Sequence, residues 1–185
     1  MLAESEARRA TAETKLARYT TIGGVSFGGI GAAQIWADFI LWEGLLNDHE
    51  IHGIFELGTY QGGFSWWLWA QAQARGIHFE TYDATEPEEW VPDFQRIDVF
   101  AEADYVKRCL RMHKPVILFC DNGNKPRELK TFGPSLDPDS LVVVHDWGAE
   151  MLPEDVPDEM EMVYEKFCED IDSMSRVFKR RTDEH

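Results

Sequence analysis

The sequence predicts an α/β fold: a doubly wound, mostly parallel sheet with helices on both faces, forming three layers. Three observations predict it. The runs VILFC (116–120) and LVVV (141–144) are continuous, apolar and of strand length, as expected for strands covered on both faces. Strand-like and helix-like segments alternate at the short spacing of parallel crossover units. The stretch 51–76 reads as strand, glycine-rich turn and helix, the opening unit of such a sheet.

Taken in order, residues 1–20 are rich in Ala, Glu and Arg and read as a solvated helical arm, a candidate docking or homo-oligomer contact, ahead of a single domain over 21–185. TTIGGVSFGGIG is turn-rich. AAQIWADFILWEGLL (32–46) places Ile35, Phe39, Trp42 and Leu46 at three- and four-residue spacing, one helical face turned to the core. A strand is expected over 51–57, then GTYQGG, then the helix FSWWLWAQAQA closed by Arg75-Gly76. Trp66, Trp67 and Trp69 on that helix are read first as core packing. Residues 77–82 form the next strand, ending at Asp83 before the acidic loop EPEEWVPD, and 95–100 a third.

Residues 101–113 have helical period and stop at Lys114-Pro115. VILFC follows and ends in Asp121; 127–132 are helical; LVVV ends in His145-Asp146. After an acidic loop, 160–171 read as a helix and SRVFKRR (175–181) as a strand. This is the pattern of a Rossmann-like α/β/α domain.

Charge and length exclude several functions. A formal charge of −16 with no basic stripe repels a polyphosphate backbone, so nucleic acid is not an expected partner. The same acidity disfavours anionic lipid, and no apolar run approaches the roughly 20 residues of a membrane span. Residues 1–18 are charged throughout and lack the apolar centre of a secretory signal. Cys109, Cys120 and Cys168 are odd in number and widely spaced, so reduced thiols in a cytoplasmic setting are expected.

In a parallel sheet ligands bind beyond the carboxyl ends of the strands, where Glu56, Asp83, Asp121, His145 and Asp146 fall. The turn Glu56-Leu-Gly58-Thr-Tyr-Gln-Gly62-Gly63 brings backbone N–H groups towards a ligand at a helix start. A dinucleotide fingerprint needs glycine where Tyr60 stands, and a phosphate-binding P-loop needs lysine where Phe64 follows Gly63. A ligand without phosphates is left: an amino-acid moiety near Gly58–Gly63 and a ribose bonded to Asp83.

These residues, with FELGTYQGGFS, FCDNGNKPREL and LDPDSLVVVHDW, resemble the class I S-adenosylmethionine-dependent methyltransferases, in particular the cephalosporin-hydroxylase-like and macrocin-O-methyltransferase-like branch, over roughly residues 22–147. The resemblance implies that Glu56, Gly58, Gly62 and Gly63 line the methionine end of the cofactor, with Thr59, Gln61 and Asp121 beside it, and that Asp83 accepts from the ribose. It implies a divalent cation, Mg²⁺ or another, on Asp121 and Asp146 with His145 adjacent. Carboxylate oxygens suit Mg²⁺, whereas imidazole suits Zn²⁺, Fe²⁺ or Mn²⁺ better, so His145 is read either as a ligand or as a general base. Lys125 is a further catalytic candidate within reach of a substrate proton. Trp67 or Trp147 is a candidate for the cofactor edge, and Tyr60 for a shield over the sulfonium.

The expected activity is methyl transfer, by preference O-methylation of a small hydroxylated metabolite or sugar. Two other readings stay open: a binding or assembly protein that kept the fold, and an NAD-dependent oxidoreductase, which Tyr60 disfavours. After Asp146 only one further strand is legible, so the branch's closing antiparallel pair is expected to be incomplete.

Overall fold

The computed structural model describes residues 25–182, so the arm expected over 1–20 lies outside the described residues. A two-stranded hairpin comes first: β1 (Ser26–Phe27) and β2 (Ile30–Gly31), joined by Gly28-Gly29 with both φ angles positive (60° and 87°), as a two-residue hairpin loop requires. Then follow α1 (Trp36–Asp48), β3 (Gly53–Leu57), α2 (Gly63–Arg75), β4 (His78–Asp83), β5 (Phe94–Arg96), α3 (Ala103–Met112), β6 (Val116–Cys120), α4 (Lys125–Phe132) and β7 (Leu141–Val144). The chain closes with β8 (Met160–Val163), α5 (Glu165–Asp170) and β9 (Arg176–Arg180).

Seven strands form one sheet in the order β5-β4-β3-β6-β7-β9-β8, the first five parallel and β9 antiparallel to both of its neighbours. The chain leaves β3 in one direction, through β4 to β5, and returns on its other side at β6. That reversal puts the topological switch point, where α/β sheets open a crevice, at the ends of β3 and β6.

Side-chain alternation on the central strands explains the three layers. Ile54, Ile117, Phe119 and Val143 join Trp42, Phe64 and Leu68 of α1 and α2 in one core. Phe55, Leu57, Leu118, Val142 and Val144 join Val106, Leu110, Leu129 and Phe132 of α3 and α4 in another. Each strand buries both faces, which is why VILFC and LVVV show no polar alternation. Trp67 packs on Phe39 and Phe64, with ring centroids 5.0 and 5.6 Å away, so it belongs to the core. Helix α2 ends at Gly76, whose φ of 69° lets its N–H reach back to Ala72 and Gln73.

The C-terminal region corrects the sequence reading. Residues 160–171 are not one helix: Met160–Val163 is a strand, Tyr164 breaks the chain direction at φ 59°, and only Glu165–Asp170 is helical. Met160 pairs with Arg180 and Val163 with Val177, so the closing antiparallel pair is complete. The single strand expected after Asp146 is two. Tyr164 is held in its unusual backbone by a 2.7 Å bond between its hydroxyl and His49 Nε2. All three cysteines are buried and free.

Candidate functional site

A cleft of about 480 Å³ opens over the switch point, lined from the ends of β3, β4, β6 and β7 and from the segment entering α1. Of the expected residues, Glu56, Gly58, Thr59, Asp83, Asp121, Lys125, His145 and Asp146 line it together, with Tyr60 at its rim.

At the β3/β4 end the backbone does most of the shaping. In-register pairing of Leu57 with Cys120 carries Gly58 against the chain leaving β6. Its φ is 100°, and a Cβ there would collide with the Asp121 carbonyl and Asn122 Cα. Asp83 ties the turn down: its Oδ2 accepts from the N–H groups of Thr59 and Tyr60, both at 3.2 Å, and its Oδ1 from Thr85 at 2.8 Å. A carboxylate has about four acceptor positions, so one remains for a ligand. The Thr59 hydroxyl is spent on Thr81 at 2.7 Å.

Glu56 lies on the cleft floor, only 2% exposed, and its Oε2 meets no hydrogen-bond partner in the described residues. Burial pushes its pKa up to about 8, against the lowering influence of the Ser65 and Thr81 hydroxyls. An orphaned, buried carboxylate in a cleft is costly unless something binds it.

Gly62 and Gly63 stand elsewhere. A Cβ on Gly62 would strike Val91, and one on Gly63 the carbonyls of Ile30 and Gly31, so these glycines let α2 start tight against the hairpin and the loop after β4. Gln61 is exposed and reaches towards Gly31. None of the three lines the cleft. Trp147, which packs on Phe178 with ring centroids 5.8 Å apart, does not line it either.

At the β6/β7 end the site is a charge cluster. His145, 3% exposed, sets Nδ1 3.3 Å from both Asp121 Oδ1 and Asp146 Oδ1, and Nε2 3.8 Å from Asp38 Oδ2. Burial opposes its charge, but the surrounding carboxylates of Asp121, Asp146 and Asp38 outweigh that and raise its pKa to about 11, while Nε2 itself meets no hydrogen-bond partner in the described residues. The same histidine, helped by Lys125 and opposed by burial, holds Asp146 well below the ordinary carboxylate range. Asp146 has a left-handed backbone at φ 56°, a strained conformation of the kind found at functional sites.

Lys125 is buried and places Nζ 2.7 Å from Glu150 Oε2, 2.8 Å from Asp146 Oδ2 and 3.1 Å from Asp121 Oδ1. Burial pulls its pKa down, yet Asp121, Asp146 and Glu150 together carry it above the usual lysine value. At neutral pH it is a cation, and so is His145. Neither is poised as a base.

Ligand atoms of Asp121, His145 and Asp146 lie within 4.8 Å of one another, close enough for one ion to reach all three. The donor chemistry suits a divalent cation. The space is shared, however: the Lys125 ammonium rests on the same two aspartates, so the cluster as built does not fit such an ion until Lys125 moves.

Sequence reasoning missed four polar contributors. Gln34 lines the cleft and donates to Asp121 Oδ2 at 2.9 Å. Asp38, wholly buried on α1, accepts from Ser173 at 2.7 Å and faces His145. Glu128 clamps the loop after β6 by accepting from the Asn122 and Asn124 N–H groups at 3.3 and 3.1 Å, and burial moves its pKa up to about 7. Glu150 comes from the acidic loop. A signal existed for two: Gln34 and Asp38 are spaced by four beside Ile35, Phe39 and Trp42, so they share the face expected to be buried.

No protein-family model and no curated protein matches the chain. Solved structures of CmcI do match its fold. An apo form superimposes with a TM-score of 0.67 at 15% identity, covering 86% of this chain and 77% of that one. CmcI with SAH gives 0.68 at 15%, covering 89% and 86%. CmcI with Mg and SAM gives 0.65 at 16%, covering 89% and 79%. The chain thus has the Rossmann-like methyltransferase fold seen in CmcI.

Proposed function

We propose that this protein is an S-adenosylmethionine-dependent methyltransferase that methylates a hydroxyl group of a small molecule, a hydroxylated metabolite or sugar. One observation carries the reading: the partnerless carboxylate of Glu56 sits on the cleft floor beside the Gly58 turn and Asp83, facing the charge cluster of His145 and Asp146 across the same cleft. When bound, the sulfonium cofactor supplies an activated methyl group.

The chain's own residues then have separable tasks. Glu56 meets an α-ammonium group, which relieves its unpaired burial. Gly58 lets the ligand lie against the backbone, and Asp83 gives its remaining acceptor position to a ribose hydroxyl while fixing the turn. At the other end Lys125 donates to the acceptor oxygen, and Glu150, the most exposed of the carboxylates on that lysine, takes the hydroxyl proton as the methyl group is transferred. Holding donor and acceptor in line supplies much of the rate enhancement such a transfer needs, and no nucleophilic side chain is required. CmcI, solved with SAM and with SAH, lends the reading support from a shared fold.

The test is a calorimetric titration with S-adenosylhomocysteine and with NAD in parallel. Saturable binding of the first and none of the second is expected. Binding of NAD alone, or of neither, overturns the proposal.

A further inference from the structure

We infer that Lys125 is a built-in cation that takes the place of a divalent metal in the Asp121, His145 and Asp146 cluster. The inference deepens the methyl-transfer reading by naming what faces the acceptor oxygen, and rests on that reading for its chemical purpose.

Three features carry it. Lys125 donates to Glu150 Oε2 at 2.7 Å and to Asp146 Oδ2 at 2.8 Å, and pairs its charge with Asp121 Oδ1 at 3.1 Å. Three carboxylates surround the ammonium, and the lysine side chain is 3% exposed. Second, Lys125 occupies the first position of α4, after the cap Asn124, whose side chain accepts from Arg127 N. The positive end of the helix dipole repels a cation there, so the carboxylates and not the helix hold it in place. Third, an ion on the three candidate ligands would need Asp121 and Asp146 oxygens at the short distances of metal coordination, roughly 2.0–2.6 Å, with an ammonium already against both carboxylates. Lys125 takes Asp121 Oδ1 and Asp146 Oδ2, and the remaining oxygens are engaged as well, Asp121 Oδ2 by Gln34 and Asp146 Oδ1 by the His145 ring.

The partners of Lys125 are unequal in a way that suits turnover. Asp121 and Asp146 are 18% and 20% exposed, whereas Glu150 is 52% exposed on the loop after β7. Glu150 is the partner an incoming acceptor oxygen replaces. The N–H that bonded its carboxylate then bonds the oxygen of the acceptor, as a metal would have done.

The experiment is a Mn²⁺ titration, read by the loss of free-ion electron paramagnetic resonance signal, on the full chain after chelator treatment. Wild type, Lys125→Met and Lys125→Gln are compared, with far-ultraviolet circular dichroism as the fold control. Wild type is expected to show no saturable Mn²⁺ site, and the variants to bind at least about tenfold more tightly, since each frees the aspartate oxygens. Saturable wild-type binding that is lost in Asp146→Asn overturns the inference, whether or not the Lys125 variants fold. Folded variants that gain no Mn²⁺ affinity overturn it too. S-adenosylhomocysteine titrated into the same samples reports separately on the methyl-transfer reading.

Discussion

At the ends of β3 and β4 the cleft presents a buried carboxylate with an oxygen that nothing nearby meets; at the ends of β6 and β7 it presents carboxylates that already share a lysine and a histidine. The first end leaves a carboxyl oxygen unmet; the second pairs its charges, although His145 Nε2 and Gln34 Oε1 there also lack a hydrogen-bond partner in the described residues. A polar group left unpaired in a low-dielectric site is a standing cost that binding removes. The second end instead gathers lysine, histidine and carboxylates into ion pairs, and so serves to place charge. The contrast assigns recognition of a charged ligand to the first end and electrostatic control of the reacting group to the second.

The two ends touch at Gly58, and substitution there breaks the comparison most severely. In Gly58→Ala the Cβ meets the Asp121 carbonyl and Asn122, at a φ that L side chains rarely adopt. The expected loss is about 4 kcal/mol, a fall in melting temperature of about 8–16 °C by thermal denaturation. A fall of only a degree or two means that the ends are not locked together.

Glu56→Gln tests whether the first end stores the cost assigned to it. The folded pKa of Glu56, about 8, lies above its ordinary 4.5, so the group contributes stability that is complete below about pH 4.5 and lost as pH rises through 8. The glutamine variant lacks that loss. Wild type should therefore fall behind it between pH 5 and 8, by on the order of 3 kcal/mol at the upper limit in urea unfolding. Parallel pH profiles of the two proteins would mean that Glu56 is paired after all.

Asp83→Asn separates the turn clamp from the ligand contact. The amide retains one acceptor oxygen and turns an NH₂ group on neighbours that donate, so S-adenosylhomocysteine affinity should drop about 30-fold, near 2 kcal/mol. Unchanged affinity with lowered stability would confine Asp83 to the turn.

The order and layering of the sheet were legible because its central strands are buried on both faces and announce themselves as unbroken apolar runs. Glu56, Asp83, Asp121, His145 and Asp146 were legible because strand ends in such a sheet point into one crevice. The strand at Met160–Val163 was not: MEMV has no strand signature of its own, and its pairing with Arg176–Arg180 is a tertiary decision. The break at Tyr164 is equally silent, since tyrosine seldom takes a positive φ and the His49 bond that holds it comes from far along the chain. Gly62 and Gly63 were legible only in part. A glycine announces close approach but not what approaches, and here it is Val91 and the β2 backbone.

The last and smallest effect sharpens the comparison without altering the fold. If the partnerless oxygen of Glu56 receives an α-ammonium group, the glutamic acid must ionise as S-adenosylhomocysteine binds, because below about pH 8 the free protein holds it protonated. Binding then releases up to one proton, and the dissociation constant tightens by at most tenfold per pH unit between about pH 6 and 8, levelling above that. His145 gives no such signal, since it stays protonated across this range. Calorimetry at pH 7 in phosphate and in Tris, whose ionisation enthalpies differ, counts the proton directly. Glu56→Gln should bind more weakly and release none. Proton release that persists in the variant would move the linkage to another group and detach Glu56 from the ligand.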